Sequence, residues 1–202
     1  MTLLLATNNL HKIRELRVML AALQLDLVSL KNFPEYQEPP EEKSTFEENA
    51  ACKAEHAAKA LNLCVLADDS GLVIPALDGF PGIHSKRFAG SDKENRKMLL
   101  DLMKGMEGEK RYGYFHCSLV LASPEKIIKC VSATVEGYIA QEERGGFGFG
   151  LDPLFIKHDY DKTFGELEES IDEYRHDQQL LHLPYQRRRR GHCSISGLRQ
   201  CL

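Results

Sequence analysis

Four stretches of this chain carry side chains whose types and spacing could do chemistry. The first is Thr7-Asn8-Asn9-Leu10-His11-Lys12, between an apolar run and an amphipathic one. Hydroxyl, amide and ammonium groups beside the free N–H groups of a helix N-terminus can cradle a phosphate. The same residues also suit ordinary capping, and this is not the glycine-rich phosphate loop, so both readings stand. The second group is acidic: Glu41, Glu42, Glu47, Glu48 and the pair Asp68-Asp69. Carboxylate oxygens hold Mg²⁺ together with substrate phosphate oxygens. Glu47 and Glu48 fall where they would complement a helix dipole. Asp68 and Asp69 follow the apolar Cys64-Val65-Leu66-Ala67 and are costly there unless cations or hydrogen bonds engage them, which points to function. In the third, turn residues Asp78-Gly79-Phe80-Pro81-Gly82 precede Ser85-Lys86-Arg87; Arg87 either lies near a phosphate or pairs with an acid. The fourth, Gly145-Gly146-Phe147-Gly148-Phe149-Gly150-Leu151-Asp152-Pro153, either lets a ring stack on a flat ligand or forms a glycine-rich bulge over the core.

The elements that must position these groups alternate. Residues 3–6 read as a buried strand and 11–23 as a helix with Ile13, Leu16, Leu20 and Leu23 on one face. A strand at 25–30 leads to a proline-rich, acidic loop at 33–44. Thr45 with Glu48 forms a capping box that opens a helix to about residue 61, and Ser91 with Glu94 opens another to about 104. Residues 64–67 form a strand that ends at Asp68-Asp69, with 72–74 extended again. Residues 112–121, 126–131 and 134–139 read as three further strands. The pattern predicts a mixed α/β fold without internal repeats.

Bulk properties narrow the classes. With 202 residues, 43 % apolar and 28 % charged, the chain suits one domain, or two small lobes sharing a core, and excludes a fibrous or disordered protein. A formal charge of −4 gives no reason to expect nucleic acid or an anionic membrane as partner. The six cysteines form no CxxC pair, and Cys52, Cys64, Cys117 and Cys130 lie among apolar residues, so buried free thiols are expected. The first residues lack the basic start of a signal peptide and no run is long enough to span a membrane, so a cytoplasmic protein is expected.

In order and spacing these motifs resemble the inosine triphosphatase family. The matching segments are Leu5-Ala6-Thr7-Asn8-Asn9-Leu10-His11-Lys12, Thr45-Phe46-Glu47-Glu48-Asn49-Ala50-Ala51-Cys52-Lys53-Ala54, Ala67-Asp68-Asp69-Ser70-Gly71-Leu72, Pro81-Gly82-Ile83-His84-Ser85-Lys86-Arg87 and Gly148-Phe149-Gly150-Leu151-Asp152-Pro153-Leu154-Phe155. The resemblance implies an elongated mixed β-sheet flanked by helices, with two lobes around a cleft, in a homodimer. It implies Mg²⁺-dependent hydrolysis of ITP, dITP and XTP to the monophosphate and pyrophosphate. By position, Thr7, Asn8, Asn9, Leu10, His11, Lys12 and Lys53 would bind the triphosphate. Glu41 and Asp69 would hold the metal, Asp69 would also be the general base, and Ser70 would contact substrate. Phe149, Gly150, Leu151 and Asp152 would form the base pocket, with Phe149 stacking on the purine. A Maf-like pyrophosphatase is the enzymatic alternative, disfavoured by the match at Gly148 to Pro153.

The last part departs from this pattern. The family ends with a Lys and then Ile-Ser-His-Arg, whereas here no Lys follows Lys162 and Arg175 precedes His176. Six arginines and three acids fall between Ile171 and Leu202, while all 14 lysines precede them. This divides the chain into a catalytic domain over 1–170 and a divergent basic tail over 171–202. The tail is compatible with a coding sequence read out of frame; a solvated or disordered tail outweighs a nucleic-acid contact for so short a basic run. The expectation that follows is an enzyme weakened in activity or base selectivity, or a catalytically impaired nucleotide-binding protein.

Overall fold

β1 (Thr2–Ala6) is buried from Leu3 onward, as its unbroken apolar run requires. α1 (Leu10–Leu20) turns Ile13, Leu16 and Leu20 inward at helical spacing, and a 3₁₀ turn at Ala21–Leu23 takes the place of its expected last turn. β2 (Asp26–Ser29) lies parallel to β1, and a second 3₁₀ turn (Leu30–Asn32) leads into the acidic loop. α2 (Phe46–Leu61) is N-capped by Thr45, whose hydroxyl accepts from Glu48 N–H at 3.1 Å. β3 (Cys64–Val73) pairs parallel with β1 on its other edge. α3 (Asp92–Leu102) is capped by Ser91, and β4 (Tyr112–Ala122), β5 (Ile127–Ile139) and the short β6 (Phe155–Lys157) follow. The computed structural model describes residues 2–167. The proposed boundary at 170/171, the altered motif and the basic run, with Cys193 and Cys201, lie outside the described residues.

The strands form one mixed six-stranded sheet in the order β2-β1-β3-β4-β5-β6, parallel at β2-β1-β3 and antiparallel at β5-β6. Two sequence expectations are corrected. Asp68 and Asp69 do not end a strand: β3 continues to Val73, and it is β1 that stops, its last registered residue Ala6 lying opposite Ala67. The two expected strands at 126–131 and 134–139 are one strand. Ser132-Ala133 offers no Gly, Pro, Asn or Asp to turn the chain, and the Ser132 hydroxyl is engaged across the sheet, 2.8 Å from that of Ser118 and donating to Glu47 Oε1 at 2.6 Å.

The chain packs as two compact units: residues 2–69 with 118–132, and residues 70–117 with 133–167. In the first, the alanine face of α2 (Ala50, Ala54, Ala57, Ala58) packs with Leu4, Ala6, Val65, Ala67, Val120 and Ala122. Small side chains let the helix approach the strands closely. In the second, Leu72, Ile74, Leu99, Met103, Val135, Ile139, Leu154, Phe155 and Phe164 form a separate cluster. There the buried Arg111 donates to the carbonyls of Met103 (3.1 Å), Met106 (3.3 Å), Ile139 (2.6 Å) and Ala140. A cation at the Met103 carbonyl complements the C-terminus of α3. The cysteine expectation is also corrected: the Cys52, Cys64 and Cys117 thiols are only half-buried, and that of Cys130, on β5, is exposed.

Candidate active site

The site of the first unit forms because β1 ends early. After β1 the chain crosses to β2 on one side and returns to β3 on the other, so the carboxyl end of β1 is a topological switch point, where loops diverge and leave room for a ligand. Thr7 to Lys12 leave from that end, and Asp68 and Asp69 extend beyond it on β3. Both aspartates are buried, at 5 % and 9 % exposure. Such charges require partners, and two lysines supply them. Lys12, in the first turn of α1, pairs with Asp68. Lys53 pairs with Asp69 Oδ1 at 3.0 Å and Glu41 Oε1 at 3.1 Å.

Lys53 stands within the buried stripe of α2, where a run of alanines leaves space for its stem to pass and its ammonium to reach the carboxylates. Burial alone would lower its pKa. The negative charges of Asp69, Asp68 and Glu41 outweigh that and raise it, so Lys53 is held as a cation. For Asp69, burial dominates and pushes the carboxyl above the usual carboxylate range against the pull of Lys53. Its second oxygen, Oδ2, is buried with no hydrogen-bond partner. Asn49, 2 % exposed, accepts from Lys43 N–H at 3.1 Å and thereby fastens the acidic loop that carries Glu41.

The Thr7 to Lys12 segment shows the capping reading directly. Asn9 caps α1, accepting from His11 N–H at 2.9 Å, and Thr7 Oγ1 accepts from Asn9 N–H at 3.3 Å. Asn8 bonds to Glu38, while Leu10 and His11 face outward. Glu42 and Glu48 are exposed, and Glu47 accepts from Ser132. Ser70 follows Asp69 on β3, half-buried.

The second unit carries the glycine-rich segment. Gly148 and Gly150 have φ of +77° and +58°, the left-handed region that glycine occupies without strain, and Phe149 is held between them, half-buried. Phe149 N–H donates to Asp152 Oδ2 at 2.7 Å, and Asp152 N–H to Phe149 O at 3.1 Å. Asp152 and Leu151 are both buried, the first bracing the turn and the second packed in the core. Gly150 N–H donates to Asp92 Oδ2 at 3.0 Å, and Gly150 O accepts from Arg96 at 2.9 Å. Ser85 ties the preceding turn to β3, its hydroxyl accepting from Leu72 N–H at 2.8 Å, and Arg87 lies exposed. Asn95, 1 % exposed, accepts from Ala89 N–H at 2.7 Å and donates to Lys86 O at 3.2 Å, fixing the same turn.

Sequence reading singled out none of Asn49, Asp92, Asn95, Arg96 or Arg111. Asn49 and Asn95 were legible in principle as polar residues on the apolar stripes of their helices; the others show no local signal.

The donor set at the switch point suits a hard divalent cation. Glu41 and Asp69 offer carboxylate oxygens, one of them buried and unpartnered, and among the described residues no group of three or more His, Cys, Asp or Glu forms a closed metal site. One or two carboxylates completed by water and phosphate oxygens is the usual Mg²⁺ arrangement.

Fold and site together define an α/β protein with a buried carboxylate–lysine centre at a topological switch point. The Ham1 family model matches residues 3–176, and the chain belongs to that family. It is 52 % identical to a dITP/XTP pyrophosphatase of Protochlamydia amoebophila and 44 % identical to one of Chlamydia pneumoniae, in each case over 85 % of this chain; those alignments cover 88 % and 85 % of the relatives. Among solved structures, a HAM1 protein from Coxiella burnetii is similar with a TM-score of 0.78 and 35 % identity, over 86 % of this chain and 90 % of that one. A nucleoside-triphosphatase / dITP/XTP pyrophosphatase from Mycobacterium abscessus is similar with a TM-score of 0.76 and 35 % identity, over 90 % of this chain and 96 % of that one. No helix among the described residues is long and apolar enough to cross a membrane.

Proposed function

We propose that this protein hydrolyses the purine nucleotides ITP, dITP and XTP to the monophosphate and pyrophosphate, with Mg²⁺ as cofactor. The observation that carries this reading is Asp69: a buried carboxylate with one oxygen held by Lys53 and the other without a partner. Membership of the Ham1 family and relatives named dITP/XTP pyrophosphatase support it.

Glu41 and Asp69 would hold the ion, which when bound supplies charge neutralisation on the phosphate oxygens. Lys12 and Lys53 add fixed positive charge, and the α1 N-terminus adds its dipole. Asp69 takes a proton from water as the water oxygen bonds to the α-phosphorus. The bond from that phosphorus to the bridging oxygen breaks, and pyrophosphate leaves with the electron pair. A carboxyl raised by burial suits a base working near neutral pH better than an ordinary one. Phe149 would stack on the purine. Because Phe149 N–H and Gly150 N–H are both engaged within the second unit, the donor that reads the six-position oxygen is another group. Such a donor would be left unsatisfied by the amino group of adenine.

Pyrophosphate release from ITP, dITP, dUTP and GTP, with and without Mg²⁺, tests the reading. Turnover of ITP and dITP only with the metal, with dUTP and GTP much slower, is expected; preference for dUTP would overturn it. One observation favours a second reading, the altered sequence after Glu166-Leu167, which lacks the family's Lys and Ile-Ser-His-Arg. On that reading the chain binds ITP and turns it over weakly or with little selectivity, and the same panel distinguishes the two. The family resemblance also proposes a homodimer, which light scattering of the purified chain would reveal.

A further inference from the structure

Asp92 and Arg96 stand one helical turn apart on α3, and their side chains converge on a single residue, Gly150. Asp92 Oδ2 accepts from its N–H at 3.0 Å, and Arg96 donates to its carbonyl at 2.9 Å. Arg96 is itself held, its Nε donating to Glu143 at 2.8 Å. Both backbone polar groups of one residue are thus gripped by side chains 58 and 54 positions away in sequence. Gly150 needs external support because its φ of +58° follows Phe149 directly and is not fixed by a strand. Phe149 N–H is fastened separately by Asp152.

We propose that Asp92 and Arg96 are positioning residues for the purine: by clamping both polar atoms of Gly150 they fix the backbone that carries the Phe149 ring and so set its stacking plane. The inference rests on the reading that Phe149 receives the base. Neither residue touches substrate; they act through Gly150. A ring fixed before binding loses less conformational freedom on stacking, so the clamp contributes to base binding and not to the phosphate chemistry.

The test compares ITP with ribose 5-triphosphate, which lacks a base, in D92A, D92N and R96Q. Loss of one loop-holding hydrogen bond predicts a KM for ITP raised roughly three- to tenfold with kcat nearly unchanged. Kinetics on ribose 5-triphosphate stay as in the parent protein, and D92N, which keeps an accepting oxygen, recovers the ITP KM. Equal losses on both substrates, or a lowered melting temperature with an unchanged ITP KM, would overturn the clamp. R96Q carries the same test if D92A does not fold. A parent protein that binds ITP without hydrolysing it would defeat the hydrolase reading alone; calorimetric ITP affinity then reads the clamp, which fails if D92A binds as tightly as the parent.

Discussion

Replacing Lys53 by Met probes the centre of the site while keeping the volume of the stem. Lys53 Nζ bonds Asp69 at 3.0 Å and Glu41 at 3.1 Å, and the Lys53 and Asp69 side chains are only 10 % and 12 % exposed. Asp69 Oδ2 already lacks a hydrogen bond, so K53M leaves the entire carboxylate unpaired in a buried position. Removing one partner of a buried pair costs about 3 kcal/mol at the lower end of its range. At this chain length that lowers the melting temperature by roughly 6–12 °C. The loss depends on pH with a definite sign. Burial already raises the Asp69 carboxyl, and without Lys53 it rises further, so the folded state binds more protons than the unfolded one. Stability therefore falls as pH climbs from the ordinary carboxylate range through the raised folded value. Thermal melts by circular dichroism in EDTA at pH 5 and pH 8 should show the larger K53M deficit at pH 8, and adding D69N should remove most of it. A K53M deficit that is absent, or equal at both pH values, would refute the reasoning.

Further outcomes follow from the same geometry. Mg²⁺ should raise the melting temperature of the parent protein over an EDTA control, by more at pH 8 than at pH 5, because the ion needs Asp69 ionised; calorimetric melts check this. N49A removes the acceptor for Lys43 N–H and should cost about 1–2 kcal/mol while weakening Mg²⁺ binding through the loosened Glu41 loop, as titration calorimetry would show. R111M removes a guanidinium that satisfies four carbonyls and should destabilise by roughly 3 kcal/mol in urea titration, with the ITP KM of the folded fraction unchanged.

How far the sequence was readable depended on how local the cause was. The Thr45 and Ser91 caps, the inward face of α1 and the alternation of strands and helices at the start of the chain follow from short-range spacing and reappear in the structure. Asp68-Asp69 reads as a strand end because apolar runs normally stop where burial does. What stops here is the neighbouring strand, which the sequence of β3 does not record. Asp68 and Asp69 stand out in the sequence as costly charges, whereas Glu41 is distinguished from its acidic neighbours only by the family resemblance. Which lysine serves which acid was not legible, because the Lys12–Asp68 contact joins residues 56 apart. Asp92 and Arg96 carry no local signal in the sequence, since their common partner lies more than 50 positions downstream.

The proposed function rests on Asp69 acting as both a metal-holding group and the base at a phosphate-handling site. The most direct measurement is steady-state ITP hydrolysis by Asp69→Asn beside the parent protein, with ITP affinity measured in parallel. A fall in kcat of about 10²–10⁴-fold is expected, as removal of a positioned base produces, with ITP binding largely retained. An Asp69→Asn protein that hydrolyses ITP at the parent rate would contradict it.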